Sequence, residues 1–372
     1  MSGGGAPDGE AAPPALPSST DAVVIGAGIA GLAAAGELVA AGRRVVMLEK
    51  SRGIGGRMAT RRVGDAVCDH GAQFFTVRGR EFDAIVRDAA AAGAVATWCD
   101  GFARAVGGDG RTTPAADGHP RWRGVHGMTD LPKLLAGRLA ATGDRFRLAT
   151  LVAATAVARA AAGVRIAIAA EGGVTAGIDA AGVVLTAPVP QSLALFAAGG
   201  MLEGASPAVD PEPRRALDGV GYDPCFALML VLAEPSRVPP PGGIQFEPGG
   251  PLAWIADNFQ KGTSPVPAHT VHAAGAFSRE HFDRPADEVA AALLHHAAPW
   301  IAGAPATAVV ARSLHRWKFA LPTTVLPEPF VVAAASPPVV CCGDAFAWPR
   351  VEGAATSGAA AGRWLAARLA AP

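Results

Sequence analysis

Residues 21–50, DAVVIGAGIAGLAAAGELVAAGRRVVMLEK, decide the fold. Asp21 to Gly26 reads as a short apolar strand, Ile29 to Ala41 as a helix of small residues, and Arg44 to Leu48 as a second apolar strand ending at Glu49. Gly26, Gly28 and Gly31 form GxGxxG. In a chain with 46 glycines that pattern alone carries little weight. What gives it meaning is a strand before it, a helix after it, and Glu49 placed 23 residues beyond Gly26. Gly26 suits the tight turn, Gly28 the approach of backbone to a pyrophosphate, and Gly31 the close packing of helix on strand. Free N–H groups at the start of the helix, around Ala27, Ile29 and Ala30, suit phosphate. Glu49, followed by Lys50, would accept hydrogen bonds from ribose hydroxyls and repel a 2′-phosphate.

The chain has 372 residues, half of them hydrophobic and 17% charged, enough for a core in each of two domains. Its 32 basic and 32 acidic residues cancel, and no single-sign run marks a nucleic-acid partner. Met1 to Ser19 has neither a basic start nor an apolar run, so it reads as a disordered tail and not as a targeting segment. Apolar stretches are interrupted before a spanning length, so a protein without membrane spans, located in the cytoplasm, is expected. Cys68, Cys99, Cys225, Cys341 and Cys342 show no metal-ligand spacing and no CxxC, so no metal site or redox pair is expected; Cys341 and Cys342 read as core.

Beyond the βαβ unit, a helix is expected after Arg80, a loop over 101–120, and a helix over Gly127 to Leu139. Leu151 to Val157, Val164 to Ala169 and Val183 to Thr186 read as strands, as do Cys225 to Leu232 and Val271 to Phe277, with a helix over Ala286 to His296. Val339 to Cys342 reads as a buried strand before a Gly/Ala-rich helix that runs to the end. The expected architecture is α/β: a doubly wound dinucleotide-binding domain over 20–78, 120–189 and 337–372, and a mainly antiparallel substrate domain with helices over 79–119 and 190–336.

Which dinucleotide is held depends on later residues. Arg52, Gly53, Gly55, Gly56, Arg57 and Met58 form a cationic glycine loop suited to a pyrophosphate and the edge of a flavin ring. Gly343 and Asp344 follow a buried strand, where a carboxylate can bind ribityl hydroxyls; Asp344 reads equally as the N-cap of the last helix. The N–H groups around Glu352, Gly353, Ala354 and Thr356 suit negative charge at flavin N1 and O2, although a tightly packed structural helix reads the same way.

Six blocks, DAVVIGAGIAGLAAAGELVAAG, VVMLEKSRGIGGRMATRR, DHGAQFF, RWRGVHGMTDLPKLLA, HRWKFALP and CCGDAFAWPRVEGAATSGAAAGRWLA, resemble the renalase-like branch of the flavin amine oxidase superfamily across nearly the whole chain. The resemblance implies noncovalent FAD on Gly26 to Gly31 and Glu49, with contacts from Arg57, Gln73 and Phe74 and from backbone near Val152 to the adenine. It further implies oxidation of dihydronicotinamide isomers, with dioxygen as electron acceptor, and a place for His315, Trp317, Lys318 and Phe319 near the flavin. Strand alternation puts His315, Trp317 and Phe319 on one face and Arg316 and Lys318 on the other. Trp317 reads as a stacking platform or as core, and His70 as an acid/base or a locally bonded turn residue. Tyr222 and Trp254 are further candidates for the pocket. Amine oxidation is the alternative activity, disfavoured by a single tyrosine; a flavin-free binding protein of the GDP-dissociation-inhibitor type is the alternative of another class.

Overall fold

The computed structural model describes residues 16–105, 110–114, 116–170, 175–203 and 208–370. Of the tail expected over 1–19, residues 1–15 lie outside these; Leu16 packs on a core cluster and Ser19 already opens the first strand. Two large sheets build the molecule. In the first, Phe146–Thr150, Val45–Glu49, Ser19–Ile25, Thr175–Leu185 and Pro338–Cys341 run parallel in that spatial order. Antiparallel additions, Val152–Ala160 with Gly163–Ala170 and the edge strand Val331–Ala335, complete it.

Parallel strands covered on both faces read as continuous apolar runs, and Val45–Glu49 is buried at every position. Helices Ile29–Ala40 and Val351–Ala370 cover one face, in contact through small residues: a Cβ on Gly358 would lie 2.0 Å from the Ala30 carbonyl oxygen. The parallel arrangement has a direct consequence for function. The carboxyl ends of all five strands point to one edge, which brings together Gly26, Glu49, Leu151, Thr186 and Gly343, where open α/β sheets bind ligands.

The second sheet is mostly antiparallel, in the order Val309–Pro322, Tyr222–Leu232, Ala268–Ala273, Leu252–Asp257, Gly243–Phe246, Ala103–Ala105 and Thr112–Thr113. Its core, from Phe226 and Leu230 to Leu293 and Trp300, lies under the helix Ala286–Ala297.

Several elements depart from expectation. The loop expected over 101–120 contains two short strands of the second sheet's edge and the start of Ala116–Gly124, which pairs with Val95–Gly101. Edge strands of two or three residues leave no periodic trace in a sequence. The strand expected to reach Phe277 stops at Ala273, and Phe277 lies in the helix Gly275–Glu280; a short apolar run fits either state. Residues of the 190–336 segment also join the first core: Phe196, Met201, Val209 and Leu217 pack there, and Val331–Ala335 pairs with Pro338–Cys341. Cys341 and Cys342 are buried, and burial pushes the Cys341 thiol up to about 12.

Candidate active site

The three motif glycines sit in three different constraints. Gly26 has φ +107°, outside the range of ordinary side chains, and a Cβ on Gly31 would lie 2.0 Å from the Gly26 carbonyl oxygen. Gly28 caps the first helix without a side-chain hydrogen bond and lines the cleft, so the helix N-terminus stays open to a ligand. Glu49 is anchored from both sides: its carboxylate accepts the Ala27 N–H at 2.9 Å and the Ser51 N–H at 2.8 Å. Each oxygen keeps lone pairs for ribose hydroxyls. Thr186, which sequence reading left without a role, donates its hydroxyl to the Ile25 carbonyl at 2.9 Å and so ties the next strand end to the glycine turn.

The cationic loop folds over this turn. Gly55 donates to the Ala27 carbonyl at 2.8 Å, and Gly56, at φ +56°, approaches Gly28 so closely that its Cβ would lie 3.3 Å from the Gly28 Cα. Arg57 then leaves the loop to reach Asp344, with the Nη2 nitrogen 2.6 Å from one carboxylate oxygen and Nη1 on the other. Asp344 is therefore not the N-cap of the last helix, which begins at Val351. Arg57 also lies over the Tyr222 ring at 5.9 Å, and burial pushes the Tyr222 hydroxyl above its ordinary range.

Arg57 and Asp344 border a cleft of about 2100 Å³ between the sheets, about twice the volume of the larger ordinary small-molecule sites; of the two further pocket candidates Trp254 lines it and Tyr222 does not. Gly26, Gly28, Ile29, Ala30, Glu49, Lys50, Gly56, Arg57, Met58, Gln73, Phe74, Val152, Gly343, Asp344 and Ala354 all line it. Ala27 contributes through its N–H to Glu49, and Gly31 through packing. Glu352 faces elsewhere: its carboxylate accepts the N–H groups of Arg78 and Gly79, at the start of the helix Arg80–Ala91. Neither Glu352 nor Gly353 borders the cleft; Gly353 packs against the Trp348 carbonyl. Just past the strand Phe146–Thr150, Leu151 has φ +58°, a strained conformation for a leucine, and hands the chain to Val152.

On the opposite wall the strand Val309–Pro322 alternates as expected, with His315, Trp317 and Phe319 half-buried and Arg316 and Lys318 exposed. Trp317 donates its indole N–H to the His70 carbonyl at 2.8 Å, and its ring stacks on the His70 ring at 5.5 Å and 20°. His272, two strands away on Ala268–Ala273, comes within 3.2 Å of the same carbonyl. Burial first, and then the fields of His315, Arg61 and His272, lower His70 to about 3. It is thus neutral at physiological pH and a poor base. The Lys318 ammonium lies 5.5 Å over the Phe319 ring. Gln73 donates to the carbonyls of Asp69 and Gly71 at 2.6 and 3.0 Å, which fixes its amide. Beneath it, Phe74, Phe102, Trp98 and Trp254 form an aromatic wall, with ring centroids 4.7–6.3 Å apart.

The donor set suits FAD. An open helix N-terminus, a glycine-lined passage, the anchored carboxylate of Glu49 and that of Asp344 follow one another along the strand ends, while the aromatic wall and Trp317 occupy the other side. Sequence reading missed Arg61, Arg121 and His272: Arg121 directly follows the segment read as loop up to Pro120, and His272 lies in a segment read only as a strand.

Residues 24–89 match the family model of the NAD(P)-binding Rossmann-like domain, and residues 92–363 that of the flavin containing amine oxidoreductases. Protein anon-37Cs of Drosophila melanogaster is 45% identical over 64 residues, a match that spans 17% of this chain and 13% of that protein. Among solved structures, a candidate protoporphyrinogen oxidase from Exiguobacterium is similar at TM-score 0.69 and 12% identity. Cyclohexylamine oxidase from Brevibacterium oxydans follows at 0.67 and 13%, and wild-type putrescine oxidase bound to putrescine at 0.66 and 14%. Each alignment covers 94% of this chain and 99% of the other. At these identities the likeness is one of fold.

Proposed function

This chain belongs to the flavin containing amine oxidoreductases, and from that premise we propose that it is an oxidase with noncovalent FAD whose substrate is a dihydronicotinamide dinucleotide. One observation carries the choice of substrate. The chain as a whole has no net charge, yet the cleft is bordered by eleven Lys and Arg and three Asp and Glu. Such a concentration favours a diphosphate-bearing substrate and repels an ammonium ion.

FAD, when bound, supplies the two-electron acceptor. The protein's own residues hold, orient and exclude. Trp317, fixed through its N–H to His70, offers a flat ring to a dihydropyridine, and the aromatic wall of Phe74 and Trp254 keeps water from the reacting carbon. The substrate gives up a hydride and becomes the aromatic nicotinamide; dioxygen leaves with that hydride and one solvent proton as hydrogen peroxide. No base is needed. That agrees with neutral histidines at the site: His70 near 3, His272 near 4, and His315 also lowered, chiefly by burial.

Amine oxidation is the second reading. The structural neighbours named for putrescine and cyclohexylamine favour it, and so does the aromatic wall, which phenylalanine and tryptophan build despite the single tyrosine. Against it stands the cationic cleft.

Anaerobic mixing separates the two. The flavin absorbance should fall with 2- or 6-dihydro isomers of NAD(P), giving ordinary NAD(P), and fall far more slowly with ordinary 4-dihydro NAD(P)H or with amines. Trp317→Ala should slow that reduction while FAD stays bound. Bleaching by primary amines alone would move the protein to amine oxidation.

A further inference from the structure

Arg121 lies on the strand Ala116–Gly124 at the rim of the cleft, with its guanidinium over the Phe74 ring at 5.8 Å. Phe74 is itself packed on Phe102 and Trp254, so Arg121 belongs to the substrate side and not to the glycine turns. Its side chain is 13% exposed, whereas the Asp117 carboxylate that it holds at 2.5 Å is 53% exposed. A second bond goes to the His119 carbonyl.

These partners stand two and four residues away on one strand, so they join no separate parts of the fold. Other sheltered cations here do: Arg57 reaches Asp344, and the buried Lys261 reaches Asp69 at 2.5 Å across 192 residues. Arg121 is a sheltered guanidinium at a cleft, held in orientation by an aromatic ring, and its charge partner is local, exposed and replaceable. Arg61 and Lys318 add to the field of the cleft but are exposed, without that fixed geometry.

We propose that Arg121 selects for phosphate on the substrate, taking a diphosphate oxygen of the dihydronicotinamide dinucleotide in the place where the Asp117 carboxylate now sits. The guanidinium fork matches two phosphate oxygens as it matches a carboxylate, and Phe74 limits its rotation. The inference rests on the proposed dihydronicotinamide oxidation and adds to it the residue that reads the substrate's anionic half. Asp117 holds the fork in place when no substrate is present.

The test compares two substrates on the FAD-loaded enzyme: 2- or 6-dihydro NAD, and the corresponding dihydronicotinamide riboside, which lacks phosphate. Arg121→Ala should raise KM for the dinucleotide about 10- to 100-fold, with kcat little changed and the riboside unaffected. Arg121→Lys should recover part of the loss. Asp117→Asn should lower KM for the dinucleotide by removing the competing anion. If the Ala variant does not fold, the Lys and Asn variants carry the same comparison. Equal changes on both substrates, or none on either, would overturn the role of Arg121 while leaving the oxidase reading intact. A wild-type enzyme that oxidises neither substrate would overturn that reading, and this inference with it.

Discussion

Arg57 and Asp344, 287 residues apart in sequence, meet in a two-point ion pair at the edge where the parallel strands end. The pair closes the site from both ends of the chain, and Arg57 also reaches the Ala320 carbonyl of the opposite sheet at 3.3 Å. Both side chains are sheltered, at 28% and 16% exposure, so the contact is worth more than a surface pair. Asp344→Ala leaves the guanidinium without its counter-charge. It should cost about 1–3 kcal/mol in urea unfolding and weaken FAD binding, with Asp344→Asn intermediate. Unchanged unfolding and unchanged FAD titration would remove the pair from the account.

Glu49 makes a narrower prediction. Glu49→Ala removes the acceptor for the Ala27 and Ser51 N–H groups and for the ribose hydroxyls, where charge-assisted bonds are worth roughly 1.5–3 kcal/mol each. Titration of the apoprotein should show FAD affinity reduced by at least about tenfold. Acid precipitation of the wild type should release all of the yellow colour as FAD; a yellow pellet would show covalent attachment.

The dinucleotide half of the site was legible because its constraints are local. Gly26, Gly28, Gly31 and Glu49 are set by one turn and the strand beside it, and the periodicities of 21–50 specify both. Asp344 was ambiguous for a reason of distance: whether it capped a helix or faced a ligand turned on where the helix began, seven residues on at Val351, and on Arg57 at the other end of the chain. Glu352 looked like part of a helix N-terminus near the ring, but tertiary packing turned its carboxylate to cap a different helix. The substrate wall was hardest to read. Phe74, Phe102 and Trp254 come from three separated segments, and nothing in their spacing reveals that their rings touch.

Two glycines in the covering helices should respond oppositely to alanine. Gly36 has nothing within 4 Å of a built Cβ, so Gly36→Ala should stabilise by about 0.5–1 kcal/mol through helix propensity. Gly358 has the Ala30 carbonyl oxygen at 2.0 Å, and backbone cannot rotate aside. The same propensity gain is then outweighed by a packing cost of about 1–3 kcal/mol, and Gly358→Ala should lower the melting temperature. Matching shifts for the two variants would mean that the helices are less tightly apposed than these distances require.

Two buried histidines, His70 and His269, and the half-buried His272 make the fold sensitive to acid. Burial lowers His70 to about 3, and His269 and His272 to about 4, against an ordinary value near 6.5 in the unfolded chain. Between pH 6.5 and 4 the unfolded chain binds protons that the folded protein refuses, so stability falls as pH falls through that window and is insensitive to these groups above it. The limiting slope is about 1.4 kcal/mol per pH unit for each histidine. Asp21 and Asp117 are lowered too, but from 3.8, so their contribution is lost only at lower pH. His269 isolates the effect, because it is fully buried, does not border the cleft, and has neither ring nitrogen hydrogen-bonded among the described residues. His269→Leu removes one titrating group without touching the cofactor residues. Urea unfolding at pH 7, 6 and 5 should therefore show a shallower loss of stability for the variant than for the wild type. Parallel slopes would mean that the His269 ring is protonated as easily in the folded protein as in the unfolded chain.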